Sequence, residues 1–260
     1  MPHSSAGIEQ SLKGAAERLL PRKLVFAAER GFYAAIHERE LKLLRRLCDP
    51  CRVSVDVGAN KGVYTLFLVR TSSWVVYFEP NPPRAAYLEH KFRGTNVTVH
   101  CCALGRAAAE LDLRIPCAGG KELDGWASFT ARFDDLVWKG SRITRVDSVS
   151  TQVRRLDDFG LGNVGFVKID VEGFETAVLE GAARTIAESR PNLLVEVEEC
   201  LNPAMWETFR LVQSWGYQGH FLLGGRLRPL AEFSPPTMQS RALRGDRDRY
   251  VNNFIFTPAG

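Results

Sequence analysis

VSVDVGANKGVYTLFL, residues 53–68, is the stretch that decides the fold of this 260-residue chain. Its alternating valines predict a buried parallel strand that carries one acid, Asp56. The segment from Gly58 to Gly62 predicts a tight turn, and the apolar residues that begin at Val63 predict a helix. A strand, a glycine-flanked turn and a helix in this order are typical of a nucleotide-binding unit.

The chemistry of this turn differs from that of a dinucleotide site. A pyrophosphate requires a G-x-G-x-x-G turn, in which the backbone approaches the phosphates at a helix N-terminus. Here the glycines have the spacing G-x-x-x-G, and the carboxylate of Asp56 just before them would repel a phosphate. S-adenosylmethionine has no phosphate, and it offers an ammonium group to Asp56 and a carboxylate to the turn amides. The turn therefore favours S-adenosylmethionine over a nicotinamide cofactor, although a turn that serves only strand–helix packing stays open.

Composition and charge limit the classes of protein to which this chain can belong. The chain is 45% hydrophobic and carries 34 basic and 30 acidic residues, a net charge of +4 that is too mild and too dispersed to indicate a nucleic-acid partner. The sequence contains no apolar run near the roughly 20 residues of a membrane span, so a soluble cytoplasmic protein is expected. Six cysteines, two of them adjacent, are typical of reduced thiols. The C-x-x-C of Cys48 and Cys51 lacks a second pair, which argues against a metal centre.

Two further strands extend the nucleotide-binding pattern. WVVYFEPNP, residues 74–82, predicts a strand that ends at Glu79, 21 residues beyond Gly58, where such sheets place the acid that accepts both ribose hydroxyls. NVTVHCCAL, residues 96–104, predicts a third strand whose small residues Cys102 and Ala103 leave room for a flat adenine ring. A strand-end glutamate without a ligand and ordinary packing of small residues are the alternatives.

The remainder of the chain predicts an insertion and then four more strands. In residues 105–155 the segments LDLRIP, WASFT and STQVRRL predict short strands in an insertion that shapes a substrate pocket. A strand then ends in the charges Lys168, Asp170 and Glu172 on one side, followed by a helix over residues 174–187. With PNLLVEVEE, GYQGHFLL and YVNNFIF, these segments predict a doubly wound α/β sheet of seven strands, the last two forming an antiparallel pair at one edge.

Several of these segments together resemble the FkbM family of S-adenosylmethionine-dependent methyltransferases. They run from about residue 53 to 199 and comprise DVGANKGVYT, FEPNP, CALG, RRLDDF, FVKIDVEGFETAVLEGA and PNLLVEVEE. The resemblance implies a class I, Rossmann-like methyltransferase domain over residues 48–260, with 105–155 as its substrate-side insertion. It also implies O-methylation of a hydroxyl on a sugar or glycan, a glycolipid or a related secondary metabolite. One departure is GWASF, in which Phe129 stands where the family has leucine.

The resemblance also assigns roles to individual residues. Those for the cofactor are Asp56, Gly58, Ala59, Asn60 and Gly62 at the methionine end, Glu79 at the ribose, and Cys102 and Ala103 at the adenine. Asp170 and Glu172 would lie near the transferred methyl group. Because an aliphatic hydroxyl must lose its proton during or after attack, we expect Asp170 to be the catalytic base, with Glu172 as the second candidate. A divalent cation held by the acids at 170, 172, 196 and 198 is an alternative, and no residue is assigned as a metal ligand.

Other functions stay open at this point. A non-catalytic module that binds S-adenosylmethionine would keep the pocket without transfer, although the intact Asp170 and Glu172 argue against it. An NAD-dependent oxidoreductase would bind nicotinamide, which the turn spacing disfavours. Residues 1–47 predict a helical extension with a basic face. A solvated outer surface is the simplest interpretation of that face, and docking on an anionic membrane or covering the active site are alternatives.

Overall fold

The computed structural model of the protein describes residues 21–36, 39–58, 60–130, 133, 137–138 and 141–259. Its α-helices are α1 (Arg22–Ile36), α2 (Leu44–Leu47), α3 (Val63–Leu68), α4 (Pro82–Phe92), α5 (Glu175–Glu180), α6 (Ala183–Ser189), α7 (Met205–Ser214) and α8 (Pro235–Met238). Its strands are β1 (Val53–Val57), β2 (Trp74–Phe78), β3 (Val97–His100), β4 (Ala103–Leu104), β5 (Ala109–Ala118), β6 (Lys121–Glu122), β7 (Val137–Trp138), β8 (Ser141–Arg154), β9 (Val164–Ile169), β10 (Asn192–Glu196), β11 (Tyr217–Leu223), β12 (Arg226–Pro229) and β13 (Asn253–Pro258). Short 3-10 helices cover Arg39–Leu43, Asp124–Trp126, Leu156–Phe159, Leu230–Glu232 and Arg241–Leu243.

The main sheet has the strand order β12-β11-β13-β10-β9-β1-β2-β3. The five strands from β10 to β3 are parallel, whereas β13 pairs antiparallel with both β10 and β11. The predicted class I methyltransferase fold is confirmed, and the chain order reverses between β1 and β9, where such sheets bind ligands. The count of seven strands is wrong. An eighth, β12, forms the edge beyond β11 inside a segment that the sequence pattern assigns to a loop, because its four residues are exposed and include two arginines and a proline.

The two faces of the sheet differ in polarity at their centre. Because successive strand residues point to opposite faces, Val57 and Ile169 join the large core cluster that includes residues of α5, α6 and α7. Asp56 and Lys168 are cross-strand neighbours on the other face, toward α3. The helices α1 and α2 also contribute to the hydrophobic clusters on this face.

A second sheet, in the order β4-β8-β5-β6, contains most of the predicted insertion. LDLRIP and most of STQVRRL lie in strands as predicted, but the expected shortness of these strands is wrong, because β5 and β8 pair antiparallel as strands of ten and 14 residues. Much of β5 and β8 is exposed and polar, so the apolar alternation that marks a strand is weak. WASFT is not a strand; its part of the chain forms a 3-10 turn and a bridge between Ser128 and Arg114. The predicted strand 96–104 is likewise divided, and its last two residues pair with β8 as β4.

The helix predicted over residues 174–187 is two helices, α5 and α6, that meet at Gly181 and Ala182. A Cβ on Gly181 would lie 1.9 Å from the carbonyl oxygen of Gly105. This close contact between two backbones at the root of the insertion requires glycine at position 181, and it is a tertiary contact that the helical periodicity does not record.

Gly58 fixes the path of the chain between β1 and β9. It has φ +77°, and a Cβ at this position would lie 2.0 Å from the carbonyl oxygen of Asp170. Gly94 has nearly the same φ of +74°, but a Cβ there would have no atom within 4 Å, so it is a matched control. We expect Gly94→Ala to cost about 1–2 kcal/mol of unfolding free energy, the cost of left-handed backbone, and Gly58→Ala to cost clearly more. Urea unfolding measures both, and equal costs would contradict the assigned clash.

Candidate active site

A cleft opens at the carboxyl ends of β1, β2 and β9, where the chain order of the sheet reverses. It encloses about 930 Å³ of empty space, part of it open to solvent. Its walls come from the glycine turn, from the ends of β2 and β9, and from the insertion. Seven of the ten residues singled out from the sequence line it: Gly58, Asn60, Glu79, Cys102, Ala103, Asp170 and Glu172.

The glycine turn forms one wall of the cleft. The amide of Gly58 donates to the carbonyl oxygen of Phe78 at 2.9 Å, and Asn60 adopts a left-handed backbone with φ +50°. The buried Oδ1 of Asn60 has no hydrogen-bond partner in the described part of the chain, so it is available to accept from a ligand. Ala59 lies outside the described residues. Gly62 does not line the cleft; it caps α3 and packs against Leu88.

Asp56 lies behind the turn rather than on the cleft surface. Its carboxylate is fully buried, and Oδ2 accepts a hydrogen bond from the hydroxyl of Thr65 at 2.6 Å. The other oxygen, Oδ1, has no partner among the described residues. Burial raises the pKa of Asp56 to about 7, while Thr65 and the ammonium of Lys168 act in the opposite direction. A direct contact between Asp56 and a ligand ammonium stays a prediction, since the lining of the cleft does not include this residue.

Glu79 is the acid that the end of β2 presents to the cleft. Its Oε1 accepts from the amide of Asn81 at 2.8 Å, and its Oε2 accepts from the hydroxyl of Tyr77 at 3.3 Å. Each carboxylate oxygen can accept a second hydrogen bond, so the group can also bind two hydroxyls. Burial raises the pKa of Glu79 to about 7, against the effect of these donors. A hydroxyl-bearing ligand would supply further donors to this buried acid.

An apolar slot continues the cleft beyond Glu79. Cys102 and Ala103 line it together with Phe129 and Phe174, whose ring centroids are 5.3 Å apart. Nothing in the local sequence pattern distinguishes Phe174, which lines the cleft, from a core aromatic. A slot between small residues and aromatic rings is suited to a flat heterocycle.

Part of the insertion covers the cleft. Asp124, in a 3-10 turn of the insertion, forms an ion pair with Arg84 of α4 and accepts from Asn81 at 3.3 Å. Gly125 lies so close to the glycine turn that a Cβ would be 3.0 Å from the side-chain nitrogen of Asn60. These three contacts join segments far apart in the chain, and the sequence carries no signal for them. They hold the insertion beside the glycine turn and the end of β2.

Lys168 places a buried cation under the cleft floor. The side chain is fully buried, and its Nζ donates to Oδ1 of Asn253 at 3.0 Å. The same Nζ lies 3.4 Å from Oε2 of Glu196 and 3.7 Å from Oδ2 of Asp170. The ring of Tyr64 completes its surroundings, with 5.0 Å between Nζ and the ring centroid. Two of the acids that reach the cleft surface are therefore paired with one cation from below.

The loop after β9 holds the second candidate acid. Glu172 has a left-handed backbone with φ +49°, and its carbonyl oxygen accepts from the hydroxyl of Ser128 in the insertion at 2.5 Å. Burial, together with the charges of Asp170, Glu198 and Glu175, raises the pKa of Glu172 well above its ordinary value. Asp170 differs from Glu172 in having a cation partner, since its Oδ2 lies 3.7 Å from Nζ of Lys168. The sequence predicted the two acids as neighbours but not this difference in their surroundings.

A second cavity adjoins the cleft and shares Glu172 and Glu196 with it. It has about 800 Å³ of empty space, part of it open to solvent. Its other walls combine aromatic and polar side chains, among them Trp126, Glu198 and Tyr250. A group that enters this cavity can therefore reach Glu172 and Glu196.

Metal and membrane features give two negative findings. Across residues 21–36, 39–58, 60–130 and 141–259, no cluster of three or more histidine, cysteine or acidic side chains is arranged to hold a metal ion. The six cysteines are free thiols. No helix in the described part of the chain has the length and apolar character needed to cross a membrane.

Comparison with known proteins identifies the domain. The family model named Methyltransferase FkbM domain matches residues 56–218, which is more than half of the chain. The chain belongs to the FkbM methyltransferase family. The resemblance stated from the sequence is thereby confirmed, and the matched FkbM range includes every predicted site residue from Asp56 to Glu172.

Individual proteins are similar to this chain over different shares of their length. Methyltransferase 1 of Beauveria bassiana (strain ARSEF 2860) is 29% identical over 157 residues, covering 55% of this chain and 63% of its own length. The crystal structure of Methyltransferase FkbM from Methylobacillus flagellatus KT has a TM-score of 0.53 at 19% identity, covering 87% of this chain and 50% of that one. The crystal structure of an rRNA methylase from Streptococcus thermophilus has a TM-score of 0.46 at 9% identity, and the match covers 85% of this chain and 95% of that one. The chain thus spans about half to two-thirds of the length of the first two of these relatives.

The FkbM match divides the site into two parts. The residues that line the first cleft all lie between 56 and 218. The second cavity also uses Arg244, Gly245, Tyr250 and Asn252, which follow the matched range. In this FkbM domain the first cleft therefore belongs to the shared part of the fold, and the second cavity is completed by residues outside it.

Proposed function

We propose that this protein is an S-adenosylmethionine-dependent O-methyltransferase. Its acceptor would be a hydroxyl of a sugar or glycan, a glycolipid or a related secondary metabolite. The observation that carries the proposal is the charge of the cleft in a domain of the FkbM methyltransferase family. Five acidic side chains line the cleft, and the basic residue among the lining side chains, Arg84, is already paired with Asp124. Such a lining disfavours the pyrophosphate of a nicotinamide cofactor and suits a cationic one.

The residues of the cleft fit the parts of S-adenosylmethionine. Asn60 has an unpartnered buried oxygen at the proposed methionine end, and Gly58 lets the turn pass directly against the carbonyl oxygen of Asp170. Glu79 would accept from the ribose hydroxyls, and the slot between Cys102 and Phe129 would hold the adenine. Asp56, behind the turn, would favour the ammonium through charge. When bound, the cofactor supplies a methyl carbon on a sulfonium, which an oxygen nucleophile attacks in line.

Asp170 is the base in this proposal. An aliphatic hydroxyl has a very high pKa, so its proton must leave as the new bond to oxygen forms. The ion pair with Lys168 keeps Asp170 as a carboxylate at the cleft surface, where Oδ1 or Oδ2 can accept that proton. Glu172, which favours its protonated form, can donate a hydrogen bond that orients the acceptor.

The second cavity is where we infer that the acceptor binds. It opens beside Glu172 and Glu196, and an aromatic face with several hydrogen-bonding groups is suited to a polyhydroxylated molecule. Arg244 within it is held by Glu198 at 2.7 Å, so its charge is already compensated. This arrangement favours a neutral hydroxyl acceptor over a nucleic-acid phosphate.

Comparative mass spectrometry tests the proposed function. Glycans and lipids are compared between cells that make this protein and cells from which it has been removed. We expect one product to lose one methyl group bound to oxygen, and the wild-type protein, but not an Asp170→Asn variant, to restore it. A methyl group that proves to be bound to nitrogen, carbon or a nucleic-acid base would contradict O-methylation.

A further inference from the structure

The outer side of α1 is an apolar surface that faces solvent. Its inner side is anchored, since Phe26 is buried with its ring centroid 5.6 Å from that of Phe92, and Arg22 donates to the carbonyl oxygen of His90 at 2.6 Å. The opposite side carries small and apolar residues at helical spacing, all of them exposed: Leu24, Ala27, Ala28, Gly31, Phe32 and Ala35. Leu24 is 57% exposed and Phe32 53%. An exposed apolar strip of this kind on an otherwise anchored helix indicates an interaction surface.

Basic side chains border this strip along an adjoining groove. The groove lies between α1 and the segment from Arg39 to Leu47, and it meets the strip at Gly31. Its floor is apolar, with Leu41 and Leu44 buried beneath it. Four cations line it, namely Arg30, Lys42, Arg45 and Arg70, and none of the described residues that line it is acidic.

These cations form no ion pair within the described part of the chain. Burial together with repulsion from Arg70 lowers the pKa of Arg30, and the charge of Glu29 offsets only part of this effect. The acids described within α1 and the segment from Arg39 to Leu47 are largely withdrawn from the surface. Glu29 is paired with Lys91 at 3.1 Å, and Glu40 is 8% exposed. The surface is therefore positive and apolar at once, although the whole chain is only mildly basic.

We propose that α1 and this groove dock the protein on an anionic membrane surface. The apolar strip would enter the headgroup region, and the four cations would contact lipid phosphates and carboxylates. Charge complementarity selects this occupant: an apolar protein partner would leave the four cations uncompensated, whereas an anionic lipid surface compensates them and accepts the apolar side chains together. The proposal rests on α1 and the groove alone, and none of its residues lines the catalytic cleft.

Vesicle co-sedimentation of the full chain tests the proposal. We expect binding to vesicles of phosphatidylcholine with phosphatidylserine, weaker binding to pure phosphatidylcholine, and loss of affinity as salt is added. Replacing Lys42 and Arg45 by glutamine should weaken binding to the anionic vesicles about tenfold to thirtyfold, given about 1 kcal/mol per basic side chain. The matched charge control is Lys121→Gln with Arg226→Gln, two exposed basic residues elsewhere, which should retain most of the affinity.

A second pair of variants tests the apolar strip. Leu24→Ser with Phe32→Ser should weaken binding at least tenfold, whereas Trp206→Ser with Leu227→Ser, which alters two other exposed apolar residues, should leave it nearly unchanged. Circular dichroism shows whether each variant keeps its fold. The proposal is overturned if anionic and neutral vesicles bind equally, or if each control pair weakens binding as much as its test pair. It is also overturned if the vesicles do not bind and α1 instead holds a dimer that Leu24→Ser with Phe32→Ser dissociates in sedimentation equilibrium.

Discussion

Replacing Asp170 with asparagine is expected to lower the rate of methyl transfer by about 100- to 10,000-fold while the cofactor still binds. The change keeps the size of the side chain and removes the carboxylate proposed to accept the hydroxyl proton. The amide of residue 170, which donates to the carbonyl oxygen of Val57 at 3.0 Å, is unaffected, so the turn beside the cofactor keeps its shape. Single-turnover transfer from labelled S-adenosylmethionine to the acceptor found by mass spectrometry measures the rate. Binding of S-adenosylhomocysteine is measured in parallel.

Two further variants are needed to interpret the result for Asp170→Asn. Glu172→Gln should slow transfer less than tenfold, because glutamine resembles the protonated acid that the raised pKa of Glu172 favours. Asp112→Asn removes an exposed carboxylate on β5 and should change nothing. If Asp170→Asn transfers methyl groups at the wild-type rate, Asp170 is not the base. If Glu172→Gln is the more damaging change, the two acids have the reverse roles.

Replacing Lys168 with methionine is expected to lower the free energy of unfolding by about 3–5 kcal/mol, the usual cost of removing one partner of a buried charge pair. Methionine fills much of the volume, but the carboxylates of Asp170 and Glu196 lose the cation between them. The buried Asp56 loses it as well. Urea unfolding measures the loss, and Lys121→Met, at an exposed lysine, controls for the change in net charge.

The loss should depend on pH in a defined direction. Burial already raises the pKa of Asp56 to about 7, and removal of Lys168 raises it further. Between the pKa of the unfolded chain and that of the folded one, the folded protein holds a proton that the unfolded chain releases, so stability falls as pH rises. Lys168→Met should therefore cost more at about pH 8 than at about pH 5.5, where the buried carboxyl is neutral. If the loss of unfolding free energy is the same at both pH values, or larger at the lower pH, Lys168 does not balance the charges of these acids.

The sequence was sufficient where local spacing dictates position. The distance from Gly58 to Glu79 is fixed by one turn, one helix and one strand, so it places both residues at the same sheet edge. The two-residue period from Lys168 to Asp170 likewise placed a charge pair at the end of β9, and the structure has their ion pair at 3.7 Å. The fold class followed from the same alternation of strands and helices.

The remaining features depend on contacts that no local pattern contains. The pairing of Arg84 with Asp124 joins α4 to the insertion, and residues so far apart in sequence carry no shared periodicity. The strand β12 is exposed at the edge of the main sheet and lacks the pattern of apolar residues by which a strand is recognised in a sequence. Asp56 illustrates a third case. Its type and position indicate a cation partner, but only the structure reveals that it faces Thr65 and Lys168 rather than the cleft surface.

Binding of S-adenosylhomocysteine, measured by isothermal titration calorimetry, tests the proposed cofactor site most directly. The wild-type protein should bind it at one site and should not bind NADH. Glu79→Gln should weaken the affinity at least tenfold, because hydrogen bonds from hydroxyls to a charged group contribute about 1.5–3 kcal/mol. Glu122→Gln, at an exposed acid of β6, is the matched control and should bind as the wild type does. Absence of binding by the wild type, or equal affinity in the Glu79→Gln and wild-type proteins, would contradict the assignment of this cleft to the methyl donor.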